Sequence, residues 1–444
     1  MHSDANMSDA YQARGPEGFD PVVSSRTQGF GGYGTIAFDR TGRLVAVHSS
    51  GRKFQLELMD PETLEELSSF DLPSRPWYFL FQGIPPWKYI GAGMYFYLDE
   101  GDRAIVPTTL NKIYVVRVPA GGNGGEFDLL REYDLNDYVV PLRWPKEDSV
   151  AWVLPDWAGK YYWYATTEGM VGTIEIASGQ VQTLRLEGEI IENSFAVGEE
   201  GVFILSDRAM YRFGQDGAGE IRIDWRRPYD RGPGVKPGHI TRGSGTSVTL
   251  TGGPEGIVAV TDNAEPRINV LFLQRANGER VCSVPVFEDG MSGTDISLVG
   301  FEHAKLEGEG SGKYSIIIEN NWGHHRFPFA FPEPGIARID LIEGPDGNIT
   351  CGQVWSSEEK NIGVFKLSFD SGLLYTYFRG DSAFFPQWYL TAVDFHTGET
   401  VYKQLIGTGI GYNNWAGALF IHPDGGRLYS TTIFGLVMVH DVLD

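Results

Sequence analysis

The chain has 444 residues, of which 42% are hydrophobic and 21% charged, too apolar a balance for a disordered polymer. It has 57 glycines and 24 prolines with no G-X-Y period, and 13% aromatics, a composition of many short strands joined by turns. A formal charge of −22 argues against general nucleic-acid binding, which needs Lys and Arg to neutralise phosphates, and against adhesion to anionic membranes.

In chain order, residues 1–20 read as a flexible lead. They lack the basic-then-apolar pattern of a signal peptide, so cytoplasm is the expected compartment, and a mature secreted form would look the same. No apolar run approaches the roughly 18 residues of a membrane helix. Pro21–Thr27 (PVVSSRT) is a strand with no neighbour in sequence. TIAFDRTGRLVAVHSSGRKFQLELMDPETLEELSSFDLP then predicts four strands, with DRTGR and DPETLE as turns. MYFYLDEGDRAIVPTTLNKIYVVRVP repeats the pattern.

The unit is cleanest over residues 147–189. Strands are expected at Ser149–Pro155, Lys160–Ala165, Val171–Ala177 and Val181–Leu186. Less regular copies follow at Ser194–Ile223, Ser247–Val286, Ile296–Trp355 and Val364–Leu405. The last unit, ALFIHPDGGRLYSTTIFGLVMVHD, supplies only three strands, and Pro21–Thr27 is the obvious donor of its fourth.

This periodicity predicts an all-β fold: a single β-propeller over residues 21–444, its ring closed by an N-terminal strand. Seven full units and one shared unit give eight blades; treating one irregular unit as an insertion gives seven. LELMDPETLEELSSFDLP resembles the D-P-x-T-L strand-turn-strand of YVTN-type and amine-dehydrogenase heavy-chain-like propellers. HPDGGRLY is a turn shared by many propeller families. The resemblance is one of fold, because these motifs are turn chemistry.

Cys282 and Cys351 belong to no metal-binding spacing. Two separate thiols are the expectation, a single disulfide the alternative.

Long aromatic loops on the face that joins the blades mark the expected ligand side: Ser74–Gly93, Trp225–Ser247, Asn320–Gly335 and Arg379–Trp388. Trp77, Trp87, Trp322, Trp388, Trp415 and Tyr412 are the candidate walls of an apolar pocket there, and Trp144 and Trp225 fall in the same class of loop. A duplicated tripeptide, Asn320-Asn321-Trp322 and Asn413-Asn414-Trp415, falls on this face twice. With Glu319, Asp262 and Asp207, the residues Asn320 and Asn413 would supply the oxygen ligands that calcium prefers. That set is similar in kind to the calcium site of lactonase and paraoxonase-like propellers, although the spacings differ and those rings have six blades. His239, His324 and His325 are candidate bases, and Arg242 and Arg326 candidate anion holders.

No P-loop, G-x-S-x-G elbow, H-E-x-x-H, dinucleotide fingerprint or C-x-x-C-H haem site occurs, so neither nucleotide nor haem is expected. The expected function is a small-molecule enzyme, a hydrolase or a lyase/isomerase, acting on an apolar or aromatic-bearing substrate over the channel and assisted by a divalent metal such as calcium. The alternative is a non-catalytic scaffold that binds a protein partner.

Overall fold

The computed structural model describes residues 2, 4–29, 31–76, 93–121, 125–139, 148–303, 312–324, 332–344, 348–380, 385–414 and 416–442. Eight small sheets form an eight-bladed propeller. In chain order the blades cover residues 32–72, 97–134, 150–185, 196–228, 249–285, 299–357, 366–408 and 419–440. Each is an antiparallel meander whose spatial order is its sequence order. The third blade is built from Val150–Pro155, Tyr161–Thr166, Met170–Glu175 and Val181–Arg185, within two residues of the boundaries expected from the turn signals.

Local chemistry explains the turns. Asp39 Oδ1 accepts the backbone N–H of Thr41 at 2.9 Å and of Arg43 at 3.0 Å, and its other oxygen receives Arg43 Nε at 2.8 Å. Asp99 repeats the device with Gly101 and Arg103. The residue before each arginine is left-handed: Gly42 at φ +81° in the first turn, Asp102 at φ +52° in the second.

Burial follows strand position. The innermost strands Ala196–Gly198, Thr249–Thr251 and Leu419–Ile421 are buried along their whole length. Outer strands such as Glu66–Leu72 alternate with solvent. The core divides into eight apolar clusters, each spanning one pair of neighbouring blades. Between blades three and four, for example, Trp163, Phe195, Ile204 and Phe213 interlock. The eighth blade takes its outer strand from Val22–Thr27, antiparallel to Gly435–His440, which closes the ring.

The segment 1–20 departs from expectation. Its described residues are packed into the ring. Ala5, Asn6, Ser8 and Asp9 present their carbonyls to the N–H groups of Val197, Leu250, Gly300 and Leu367 at 2.9–3.1 Å. Those four acceptors thus engage the innermost strands of blades four to seven in turn. Ala10–Tyr11 then pairs in parallel with Leu367 and Ser368. Met7 and Asp9 both sit near φ +55°, which turns successive carbonyls toward successive blades. Asp9 is wholly buried, bonded to Lys366 and Ser297 and to His2 Nδ1 at 3.0 Å. Lys366 and His2 draw its carboxyl down to about 2 against the opposing cost of burial. Further on, the Tyr375 and Tyr402 hydroxyls donate to the Pro16 carbonyl. The Asp441 carboxylate accepts the N–H groups of Glu17 and Gly18.

Cys282 and Cys351 form a disulfide between the outer strands of blades five and six, correcting the expectation of separate thiols. Their spacing of 69 residues hides the fact that the propeller sets the outer strands of consecutive blades side by side.

Two stability outcomes are expected. Asp9→Ala should cost about 3–5 kcal/mol in urea unfolding because it removes the buried carboxylate paired with the Lys366 ammonium, and pairing it with Lys366→Met should recover most of that loss. Reducing the disulfide, or replacing both cysteines with serine, should cost about 2–4 kcal/mol and lower the melting temperature.

Candidate functional site

The segments that join consecutive blades meet on one face of the ring, around the mouth of the central channel. Residues 186–195 lead into blade four. They are held there by reciprocal bonds: Asp207 N–H donates to Ile190 O at 2.8 Å, and Ile190 N–H donates to Asp207 Oδ1 at 2.9 Å. This places Glu192 against residues 241–245 of the next connection. A Cβ on Gly243 would lie 2.9 Å from both Glu192 Oε2 and the Asp207 Cα, so only glycine allows that approach. Thr241 hydrogen-bonds the Glu192 carboxyl, and the Asn193 amide donates to Gly245 O.

Gly245 in turn packs on Asp295, from the connection between blades five and six. The Asn321 amide grips Asp295 from both ends, donating to its carboxylate and accepting its N–H at 3.2 Å. Next to it, Glu319 accepts the Thr294 hydroxyl at 3.3 Å and lies beside the Asn361 amide. Asn361 also binds Gly363 O and accepts Tyr377 N–H at 2.9 Å. The Asn414 amide nitrogen sits 2.2 Å from where a Gly363 Cβ would be. Polar contacts on this face thus run from Asp207 and Glu192, both beside Gly243, through Asp295 and Glu319 to Asn361, with Asn414 packed against Gly363.

Its electrostatics are unusual. Burial, with Asp295 and Asp207 nearby and against the bonds from Thr241, pushes the Glu192 carboxyl up to about 7. Burial first, then Asp295, raises Glu319 well above the ordinary carboxyl range. Three sealed oxygens in the network, Glu192 Oε1, Glu319 Oε2 and Asn414 Oδ1, meet no hydrogen-bond donor. A carboxyl that exchanges its proton near neutrality serves equally as acid or base.

The residues expected from sequence are distributed differently. Glu319 is in the network. Asp207 reaches its edge and is paired with Arg231 at 2.5 Å. Asp262 instead caps its own hairpin, accepting from the Asn269 backbone at 2.7 Å and side chain at 2.8 Å. Asn320 bonds Gly293 N–H and Met291 O, and Asn413 terminates the short 3-10 turn Ile410–Tyr412. Among the described residues no group of three or more His, Cys, Asp or Glu side chains is placed to hold a metal ion. The five residues expected as a calcium set thus sit with separate partners.

Trp388 and Tyr412 are packing residues. Trp388 is buried, donates to Gly409 O at 2.8 Å and stacks on Tyr377, and the Tyr412 ring covers Gly407. Trp225 is likewise a buried strand residue donating to Arg275 O at 3.0 Å. Trp322 and His239 meet over Gly293, near the stem of Lys236. Lys236 is buried and donates to Ala264 O and Ser292 O, at 2.7 and 2.9 Å. His324 is buried one turn after Asn321, and Arg242 is exposed and bonded to Gly232 O. Trp77, Trp87, Trp144, His325, Arg326 and Trp415 lie outside the described residues.

Sequence reasoning missed Glu192, Asp295 and Asn361, and from each duplicated tripeptide it chose the first asparagine as the metal ligand. The tripeptide itself was the available signal: Asn321 and Asn414, the middle residues, are the ones the mouth uses.

No family model matches the chain. An uncharacterized protein of Archaeoglobus fulgidus is 27% identical over 305 residues, covering 62% of this chain and 57% of the relative, so the match spans little over half the relative's length. Among solved structures, the quinohemoprotein alcohol dehydrogenase of Comamonas testosteroni superposes with a TM-score of 0.56 at 9% identity, over 98% of this chain and 79% of that one. The C-terminal WD40 domain of Sif2 gives 0.55 at 9% identity over 96% and 100%. Chaetomium thermophilum Sqt1, bound to the N-terminus of a ribosomal protein, gives 0.52 at 12% identity over 97% and 100%. At these identities the likeness is one of fold.

Proposed function

We propose that the chain is a small-molecule enzyme, a hydrolase or a lyase/isomerase, in which Glu192 moves the proton at the mouth of the channel. The observation that carries this reading is the Glu192 carboxyl itself: buried, bonded by Thr241 on one side, left with a free oxygen on the other, and poised near neutrality. Glu192 replaces His239, His324 and His325 as the chosen base. Residues 5–11 lie across the channel wall below, so a ligand would enter from the mouth side. Burial first, and then Asp295, which Asn321 fixes, and Asp207 keep the Glu192 proton affinity high. The rival scaffold reading draws on the fold neighbour bound to a ribosomal protein's N-terminus. In this chain, Val354 and Val401 stand half-exposed on the outer strands of blades six and seven.

Turnover should be sought with p-nitrophenyl acetate and δ-valerolactone, and with α-proton exchange of 2-hydroxyketones into D2O by NMR. Any activity found should fall by about 10²–10⁴-fold in Glu192→Gln, with the fold retained by circular dichroism. Unchanged turnover in that variant would sink the reading, whereas a scaffold predicts no turnover in either protein.

The same carboxyl predicts a pH effect. Its proton affinity rises on folding, from 4.5 to about 7, so the native state binds the extra proton between those values. Stability from this group is therefore present at pH 4.5 and below and is lost as pH rises through 7, on the order of 3 kcal/mol in all. Melting temperature should decline from pH 5 to pH 8 in the parent and decline less in Glu192→Gln.

A further inference from the structure

We propose that His2 and residues 4–11 form a pH-released strap, seated on the innermost strands of blades four to seven while the His2 imidazole is neutral and detached as one unit when that ring takes up a proton. The device is separate from the chemistry read at the mouth and does not depend on it.

Polar bonds, more than apolar burial, hold the strap down. Its carbonyls at Ala5, Asn6, Ser8 and Asp9 each reach a different blade, so no continuous ladder locks them in register. Among the described residues from His2 to Asp9, Met7 is the one large apolar side chain, and it enters the core between blades four and five. Beyond Tyr11 the chain is pinned a second time. The Arg14 carbonyl accepts Gly426 N–H at 2.7 Å, Pro16 O receives two tyrosine hydroxyls, and Asp441 holds Glu17 and Gly18. Detachment can therefore stop short of these anchors and leave the closing strand Val22–Thr27 in place, a local opening of low cost beside unfolding of the ring.

His2 is the titratable part of the seat. Its side chain is 3% exposed, with Nδ1 at 3.0 Å from Asp9 Oδ2 and Nε2 at 3.2 Å from Ser247 Oγ. The same carboxylate takes the Lys366 ammonium and the Ser297 hydroxyl. A neutral imidazole suits this place, donating to Asp9 and accepting from Ser247. A charged one sets a second buried cation beside Lys366, and one carboxylate must serve both. The charged groups around His2 are Asp9 on the strap, Lys366 from blade seven and the chain's amino group; Lys366 in turn faces Asp4 and, from blade six, Glu319. Burial first, against Asp9 and with Lys366 and the amino group, lowers the proton affinity of the seated ring. A detached His2 titrates near ~6.5, so the proton favours the detached form. Seating is strongest above that value and weakens as pH falls below it. Asp9, drawn down to about 2, would act only in far stronger acid, and Glu192 works with the opposite sign.

The test is hydrogen exchange on the full chain at pH 7.5, 6 and 5, corrected for intrinsic rates. The N–H groups of Val197, Leu250, Gly300 and Leu367 report the strap, and amides of Gly201–Leu205 and Ile257–Thr261 report the blades themselves. Protection of the four strap-bonded amides should fall together, about 10-fold between pH 7.5 and pH 5, while the blade amides hold. In His2→Gln that fall should vanish. Should His2→Gln unseat the strap at every pH, the parent decides: its His2 ring resonance, assigned by its loss in the variant, should titrate with a midpoint below ~6.5. Strap amides that ignore pH, exchange independently of one another or lose protection together with the blades would overturn the inference. So would an unchanged fall in His2→Gln, or a His2 midpoint at or above the ordinary histidine value.

Discussion

A sheet of four strands cannot end without exposing a row of unpaired backbone groups, and a ring of sheets cannot bury its faces until the last meets the first. In this chain both demands are met by one pairing, Val22–Thr27 against Gly435–His440. It completes the eighth blade and brings that blade against the first, where Ile36, Leu44 and Ala46 pack on Phe420, Tyr429 and Met438. The mouth inherits its geometry from this closure. Glu192, Asp295, Asn361 and Asn414 sit on different connections and come together only because the ring holds those connections at one level.

The network at the mouth shows how a repeat fold acquires chemistry without a sequence motif. The connections leading into blades four to eight contribute one or two polar side chains each, and glycines at 243, 245 and 363 let the segments approach more closely than any side chain would permit. The carboxyl groups owe their raised proton affinity to being sealed together, a property of the assembly that no single residue carries. The contrast with Asp9 is one of direction: Lys366 and His2 draw the Asp9 carboxyl down, whereas burial and Asp295 push the Glu319 carboxyl up.

The fold was legible because strand and turn rules act over a few residues. Asp39-x-x-x-Arg43 and Asp99-x-x-x-Arg103 encode their turns locally, and the missing fourth strand of the last unit pointed to its donor. Glu192 was not legible: in EIIENSF it reads as an ordinary exposed loop acid, and its burial comes from residues 50 to 100 positions away. The lead 1–20 was misread for the related reason that SDANMSDA is small and polar, the composition of a tail. Those same small residues let a chain lie against a channel wall. The bond between Cys282 and Cys351 belongs to the same class, since adjacency of outer strands is a fact of the ring.

The segment lining the channel and the strand closing the ring are contiguous, and both engage partners made hundreds of residues later. During synthesis these early residues emerge long before Leu367 or Gly435 exists. The closing strand must wait, unpaired, while seven blades stack in order, whereas the channel segment meets its first partner, Val197, in blade four. Loop-closure entropy makes such distant contacts late in folding. The waiting strand, VVSSRT, is two-thirds polar and carries an arginine, which keeps a lone edge from sticking to its neighbours. The ring is thus sealed late, by a strand synthesised before any of the blades it closes.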